Sequence, residues 1–169
     1  MVAITMGWVI LVDPGLPEDE DPRTGKAFPS VRMQSTADLA WSDTLPGAGH
    51  PRLVNFWSAK CESCVAMLKV LKRIADERAG EHLEVMLLAE EDTDKLRTFG
   101  PLRDSGLRSW HVQEADVEIP FFRDPASRQR EYPTSYFVDK DGVVKRILKG
   151  TRYQRQILAA VDHFIFDLP

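Results

Sequence analysis

The two cysteines of this 169-residue chain, Cys61 and Cys64, stand three positions apart, close behind the apolar stretch Leu53-Val54-Asn55-Phe56-Trp57. A bridge between them closes too small a loop to constrain an unfolded chain, so a disulfide-stapled scaffold is excluded. The fold must come from a buried core, and 43% hydrophobic with 28% charged residues is the balance of an ordinary globular domain. The apolar stretch reads as a buried central strand. After Cys61 the periodicity changes. Cys64, Met67, Leu68, Leu71, Ile74 and Ala75 repeat at i, i+3, i+4, i+7, with Lys69, Lys72, Arg73, Asp76 and Glu77 on the other face. A strand thus runs into a helix with Cys61 at the junction, and the helix is expected to stop at Gly80.

Beyond that helix, Glu84 to Ala89 reads as a strand, and a polar helix is expected from Asp92 or Thr93 toward Gly100-Pro101. Leu102, Leu107, Trp110 and Val112 are read as anchors of a second short helix within Leu102 to Glu118, and Phe121-Phe122 as a short strand after Pro120. Ser135 to Val138 and Val143 to Leu148 flank the turn Asp139-Lys140-Asp141-Gly142 and read as a β-hairpin. Thr151-Arg152-Tyr153-Gln154 has capping-box form and opens a last helix, with Ile157, Leu158, Val161, Phe164 and Ile165 as its buried stripe. Strands alternating with helices from Phe28 onward are the pattern of an α/β architecture.

The N-terminal residues 1–24 are read apart from a domain over 25–169. Val2 to Val12 is an apolar run too short to cross a bilayer, which takes roughly 20 apolar residues, and it lacks the basic flank and cleavage site of a signal peptide. Pro14 to Pro22 holds Glu18-Asp19-Glu20-Asp21 between prolines, the composition of a solvated, extended linker. Together they suggest part of a membrane anchor followed by a spacer. The alternative is a soluble, cytoplasmic chain whose Val2–Val12 segment packs on the domain. A net charge of −4 with no basic tract argues against nucleic acid as a partner.

Cys61-Glu62-Ser63-Cys64 is the segment with the clearest chemistry. At a helix N-terminus, unpaired N–H groups and the positive end of the macrodipole stabilise a thiolate, which lowers the cysteine pKa and makes it a nucleophile. The spacing lets Cys64 attack, from within the same turn, a mixed disulfide formed at Cys61. Two cysteines in this spacing also supply half of a zinc site, but there is no third cysteine. His50, His82, His111 and His163 are scattered, so no metal is expected. In Tyr132-Pro133-Thr134-Ser135-Tyr136-Phe137 the proline stands just before a strand. A cis peptide there would expose the preceding residue's backbone for pairing with a substrate chain.

The text Pro51-Arg52-Leu53-Val54-Asn55-Phe56-Trp57-Ser58-Ala59 running into Cys61 and Cys64 resembles the thioredoxin-fold, TlpA/ResA-like thiol–disulfide oxidoreductases. So does Tyr132-Pro133-Thr134-Ser135-Tyr136-Phe137-Val138-Asp139 with Asp141-Gly142, and so does the upstream Gly25-Lys26-Ala27-Phe28-Pro29. The resemblance implies a central mixed sheet flanked by helices, with an N-terminal β-hairpin that includes Trp41-Ser42. It implies that Cys61 is the attacking thiol, Cys64 the resolving thiol and Pro133 a cis-proline facing them, with Tyr132 and Thr134 beside it in substrate binding. No cofactor is implied beyond the Cys61–Cys64 redox disulfide. The implied partners are protein thiols or disulfides and an upstream electron donor. The implied setting is extracytoplasmic, on the periplasmic side, with a reductase role of the kind that serves cytochrome c maturation.

The chain departs from that family at Lys60, where tryptophan is usual, and at Ser63, where proline is common. Asn55 replaces the buried aspartate of thioredoxin, and Val65, Ala66 and Met67 provide no glutamate after the second cysteine. Two other functions on the same fold are kept as alternatives. A peroxiredoxin-like peroxidase would place threonine where Ser58 stands. A copper-binding assembly factor would want a wider cysteine spacing and a distal histidine.

Overall fold

The computed structural model describes residues 21–43, 49–113, 120–150 and 154–166. Seven strands form one sheet: β1 (Met33–Ser35), β2 (Trp41–Ser42), β3 (Arg52–Trp57), β4 (Glu84–Ala89), β5 (Ser109–Val112), β6 (Thr134–Val138) and β7 (Val144–Lys149). Their spatial order is β2-β1-β5-β4-β3-β6-β7. The β3–β4 and β4–β5 pairs are parallel and the other pairs antiparallel, so the sheet is mixed. Four helices are described: α1 (Glu62–Glu77), α2 (Thr93–Thr98), α3 (Gly100–Ser105) and α4 (Gln154–Phe166).

β3 is buried along its whole length because it is central and covered on both faces, which is why its sequence is nearly continuous in apolar residues. Alternate residues feed two cores. Leu53 and Trp57 join Val85, Leu87, Ala89 and Phe137 under α1 and α4, and Leu96 of α2 and Leu102 of α3 complete that layer. Val54 and Phe56 face the other way, with Met86, Leu88, Tyr136 and Val138. There the described covering residues are Val31, Phe28, Phe121 and Phe122, and the three phenylalanine rings pack edge-on and stacked around Tyr136.

The hairpin of β6 and β7 is present as read. Asp139 Oδ1 accepts the N–H groups of Asp141 and Val143, at 3.0 and 2.8 Å. Gly142 takes a φ of +85°, which a side chain would strain. The β1–β2 hairpin at Trp41-Ser42 is also present. In α4, Ile157, Val161 and Phe164 are buried as expected, while Thr151 to Tyr153 and the Ile165 side chain lie outside the described residues.

Four expectations are corrected. α1 ends at Glu77 rather than Gly80, because Arg78 leaves the helical dihedrals (φ −107°, ψ 12°) and Ala79–Glu81 tightens into a 3-10 turn, with the Glu81 N–H on the Arg78 carbonyl at 3.0 Å. Trp110 and Val112 are not helix anchors. Gly106, at φ +65°, ends α3, and the chain then enters β5, where those two side chains are buried at strand spacing. Phe121-Phe122 sits in a 3-10 turn, Pro120–Phe122, not a strand. Finally, the folded domain already includes Asp21 and Arg23. They are only 8% and 5% exposed, so the last residues assigned to the linker are part of the packing.

Asp21 and Arg23 lie over the β5–β6 connection. Arg23 is paired with Asp21 at 2.6 Å, donates to the Phe121 and Arg123 carbonyls at 2.7 and 3.2 Å, and reaches the Tyr136 hydroxyl at 3.2 Å. Lys149 of β7 bridges Asp21 at 2.9 Å and Asp124 at 2.6 Å. Gly25 and Lys26 then pair with Val144 along the outer edge of β7. Among the described residues no helix is long and apolar enough to cross a membrane, and Val2 to Val12 lies outside them.

Candidate active site

The end of β3 leads through Ser58, Ala59 and Lys60 to Cys61, which caps α1 in an extended conformation, φ −96° and ψ 106°. Its sulfur accepts the Cys64 N–H at 3.2 Å, one of the orphan donors of the first helical turn, and lies 3.2 Å from the Ser63 hydroxyl. Cys61 and Cys64 are joined as a disulfide across a Cα–Cα distance of 5.2 Å. Cys61 is half-buried, whereas Cys64 is 1% exposed, sealed into the α1 side of the core. Of the two cysteines, Cys61 is therefore the more exposed.

Strand register decides what else gathers here. Phe56 lies opposite Thr134 and Trp57 beside Ala89. Residues just after β3, just before β6 and just after β4 therefore share one end of the sheet. The Tyr132–Pro133 bond is cis. Tyr132 is half-buried, with its ring tilted onto Phe56 at a centroid distance of 5.2 Å. Pro133 is buried, and its carbonyl accepts the Gly150 N–H at 2.8 Å. Thr134 is buried too and turns its hydroxyl onto the Glu131 carbonyl at 2.7 Å. Of the three residues expected to bind substrate, Tyr132 alone keeps appreciable exposed surface.

Glu90 and Glu91 were not singled out by the sequence. Glu91 Oε1 accepts the Ser58 hydroxyl at 2.6 Å and the Ala59 N–H at 2.9 Å. Its Oε2 is buried without a hydrogen-bond partner among the described residues. Glu90 accepts the Tyr132 hydroxyl on one oxygen and Arg130 on the other, at 2.6 Å. Burial, with the neighbouring Glu90 carboxylate, pushes the Tyr132 phenol well above its ordinary range, so it stays a donor. The available signal was two carboxylates at the end of a buried strand, but only the register shows which loops they reach. Asn55 donates to Ser135 at 2.8 Å, and Trp57 is fully buried beneath the site. Among the described residues, no three His, Cys, Asp or Glu side chains converge as a metal ion would require.

No protein-family model matches the chain, and no curated protein sequence matches it. Solved structures do. A putative thiol:disulfide interchange protein DsbE from Chlorobium tepidum superposes with a TM-score of 0.66 at 14% identity, over 84% of this chain and 97% of that one. A secreted Mycobacterium tuberculosis disulfide oxidoreductase homologous to E. coli DsbE gives 0.59 at 17% identity, over 79% and 96%. A variant of peroxiredoxin Q from Xanthomonas campestris gives 0.61 at 11% identity, over 81% and 98%. The fold is thioredoxin-like. Within that thioredoxin-like frame the Cys61–Cys64 pair occupies the start of the helix that follows the central strand, with the cis-proline loop at the same sheet end.

Proposed function

We propose that the protein is a thiol–disulfide oxidoreductase that reduces protein disulfides through Cys61 and Cys64. The observation that carries this reading is the asymmetry of the pair. A half-buried cysteine at the helix N-terminus is backed by a fully buried one a single turn away. In the dithiol form the Cys61 thiolate attacks one sulfur of a partner disulfide. A Cys61–partner mixed disulfide forms, and the partner's other sulfur leaves as a thiolate and takes up a proton. Cys64 then loses its proton and attacks the Cys61 sulfur. The mixed disulfide breaks, the second partner thiol is released, and the Cys61–Cys64 disulfide closes. Two electrons have passed to the partner, and a dithiol donor must return them. Tyr132, through its ring and its backbone, is assigned to the partner's chain beside Pro133, and the buried Thr134 supports that loop through its hydroxyl bond to the Glu131 carbonyl.

The reading extends to an extracytoplasmic setting and to thiol supply of the kind cytochrome c maturation requires. It is supported by the resemblance in the two loops and by a structural neighbour described as secreted. The likeness to peroxiredoxin Q supports a second reading, a peroxidase, on the same fold. One pair of assays separates them. The reductase reading predicts that the protein accelerates insulin disulfide reduction by dithiothreitol and consumes hydrogen peroxide no faster than free thiols do. Peroxide turnover without insulin reduction would replace it with the peroxidase.

A further inference from the structure

We infer that Glu90 and Glu91 are positioning residues, one for each half of the exchange site; the inference rests on the reductase reading. Three successive N–H groups lead into α1, and all are tied down. The Ala59 N–H goes to Glu91 Oε1 at 2.9 Å, the Lys60 N–H to the Ser58 hydroxyl oxygen at 3.2 Å, and the Cys61 N–H to the Ser58 carbonyl at 3.1 Å. The Ser58 hydroxyl itself donates to Glu91 at 2.6 Å. One carboxylate oxygen thus fixes the path by which Cys61 enters the helix, and with it where the nucleophilic sulfur stands.

Glu90 grips the opposite loop. It accepts the Tyr132 hydroxyl directly before the cis peptide, and Arg130 at 2.6 Å supports it from the other side. The pair is itself held rigidly. Ala89 ends β4 beside Trp57, the Glu91 carbonyl is 2.9 Å from His111 Nδ1 on β5, and Asp92 caps α2 through the Lys95 N–H at 2.9 Å. Two adjacent residues on a strand end therefore fix the cysteine loop and the substrate-binding loop relative to one frame. Such preorganisation acts on rate through geometry. Glu91 governs how Cys61 meets any disulfide, while Glu90 governs how an extended protein chain meets Tyr132.

The test measures reaction of the reduced protein with two probes, the small aromatic disulfide dithiobis(nitrobenzoate) and insulin. E91A is expected to slow both about tenfold, the effect of losing one or two hydrogen bonds. E91Q retains an acceptor for Ser58 and Ala59 and is expected to recover most of the lost rate. E90A is expected to slow insulin about tenfold more than the small disulfide, mainly through KM, with E90Q between E90A and wild type. If E91A does not fold, Ser58→Ala removes the hydroxyl that donates to Glu91 and accepts from Lys60 while leaving the carboxylate on the Ala59 N–H, and should slow both probes by an intermediate factor. E91Q as slow as E91A would mean that charge, not the hydrogen-bond geometry, is what matters, and would overturn the proposal. So would E90A slowing both probes equally. Wild type inactive on both probes would defeat the reductase reading itself. An active wild type with indifferent variants would defeat this inference alone.

Discussion

Cys61 caps α1 and is half-buried, while Cys64 is 1% exposed one turn further in. In the reduced protein, iodoacetamide followed by mass spectrometry is therefore expected to label Cys61 much faster than Cys64. Faster labelling of Cys64 would reverse the assigned roles. The Cys64 N–H and the helix terminus favour a Cys61 thiolate, and the exposed neighbours Lys60 and Glu62 act on it in opposite senses. Lys60→Trp should raise the Cys61 pKa and Glu62→Gln should lower it, with both shifts shrinking as salt is added. Thiolate absorbance across pH reads both variants, and shifts of the opposite sign would remove the electrostatic account. The place of Cys61 at the start of α1, its pairing with Cys64 and the cis bond at Pro133 were legible in the sequence because each belongs to a short, local motif. Glu90 and Glu91 were not, because their partners Ser58, Ala59 and Tyr132 lie 32 to 42 positions away, at the ends of strands whose register only the fold defines.

At the level of elements, legibility followed periodicity. β3, α1, β4 and the β6–β7 hairpin carry unbroken strand or helix patterns, and all are present. α1 ended early because Arg78 leaves the helical dihedrals two residues before the glycine. β5 was missed because Trp110 and Val112 were grouped with Leu102 and Leu107 across Gly106, which divides a helix from a strand. The α1 stripe also makes a quantitative expectation. Leu71 is fully buried in the layer under α1 and α4. Leu71→Ala should cost about 3 kcal/mol, transfer and cavity together, read as a lower urea midpoint with little change in slope. A loss well under 1 kcal/mol would mean that α1 is not packed as described.

Across the whole molecule, the Asp21–Arg23–Lys149–Asp124 network ties the first described residues of the folded domain to β7 and to the β5–β6 connection. Burial alone would raise the Asp21 carboxyl, but hydrogen bonds from Arg23 and Lys149 overcome it and hold the group well below the usual carboxylate range. Lys149 and the Ser127 N–H hold Asp124 low as well. A depressed carboxylate contributes stability that is complete above its unfolded pKa, near ~3.9, and is lost as pH falls through the folded value. Asp21→Asn should therefore cost about 3 kcal/mol near neutrality, and its deficit against wild type should shrink below about pH 4. Urea midpoints across that range test this, and a deficit constant with pH would contradict it.

The central claim is that electrons leave through the outer sulfur at the start of α1 and that the inner one resolves the intermediate. Its most direct measurement is capture of a reduced Cys64→Ser variant on a protein disulfide, followed by mapping of the trapped linkage by mass spectrometry. The account predicts a stable, dithiothreitol-sensitive mixed disulfide on Cys61, and none with Cys61→Ser under the same conditions. Stable trapping through Cys64 in the Cys61→Ser variant, with none through Cys61, would contradict it.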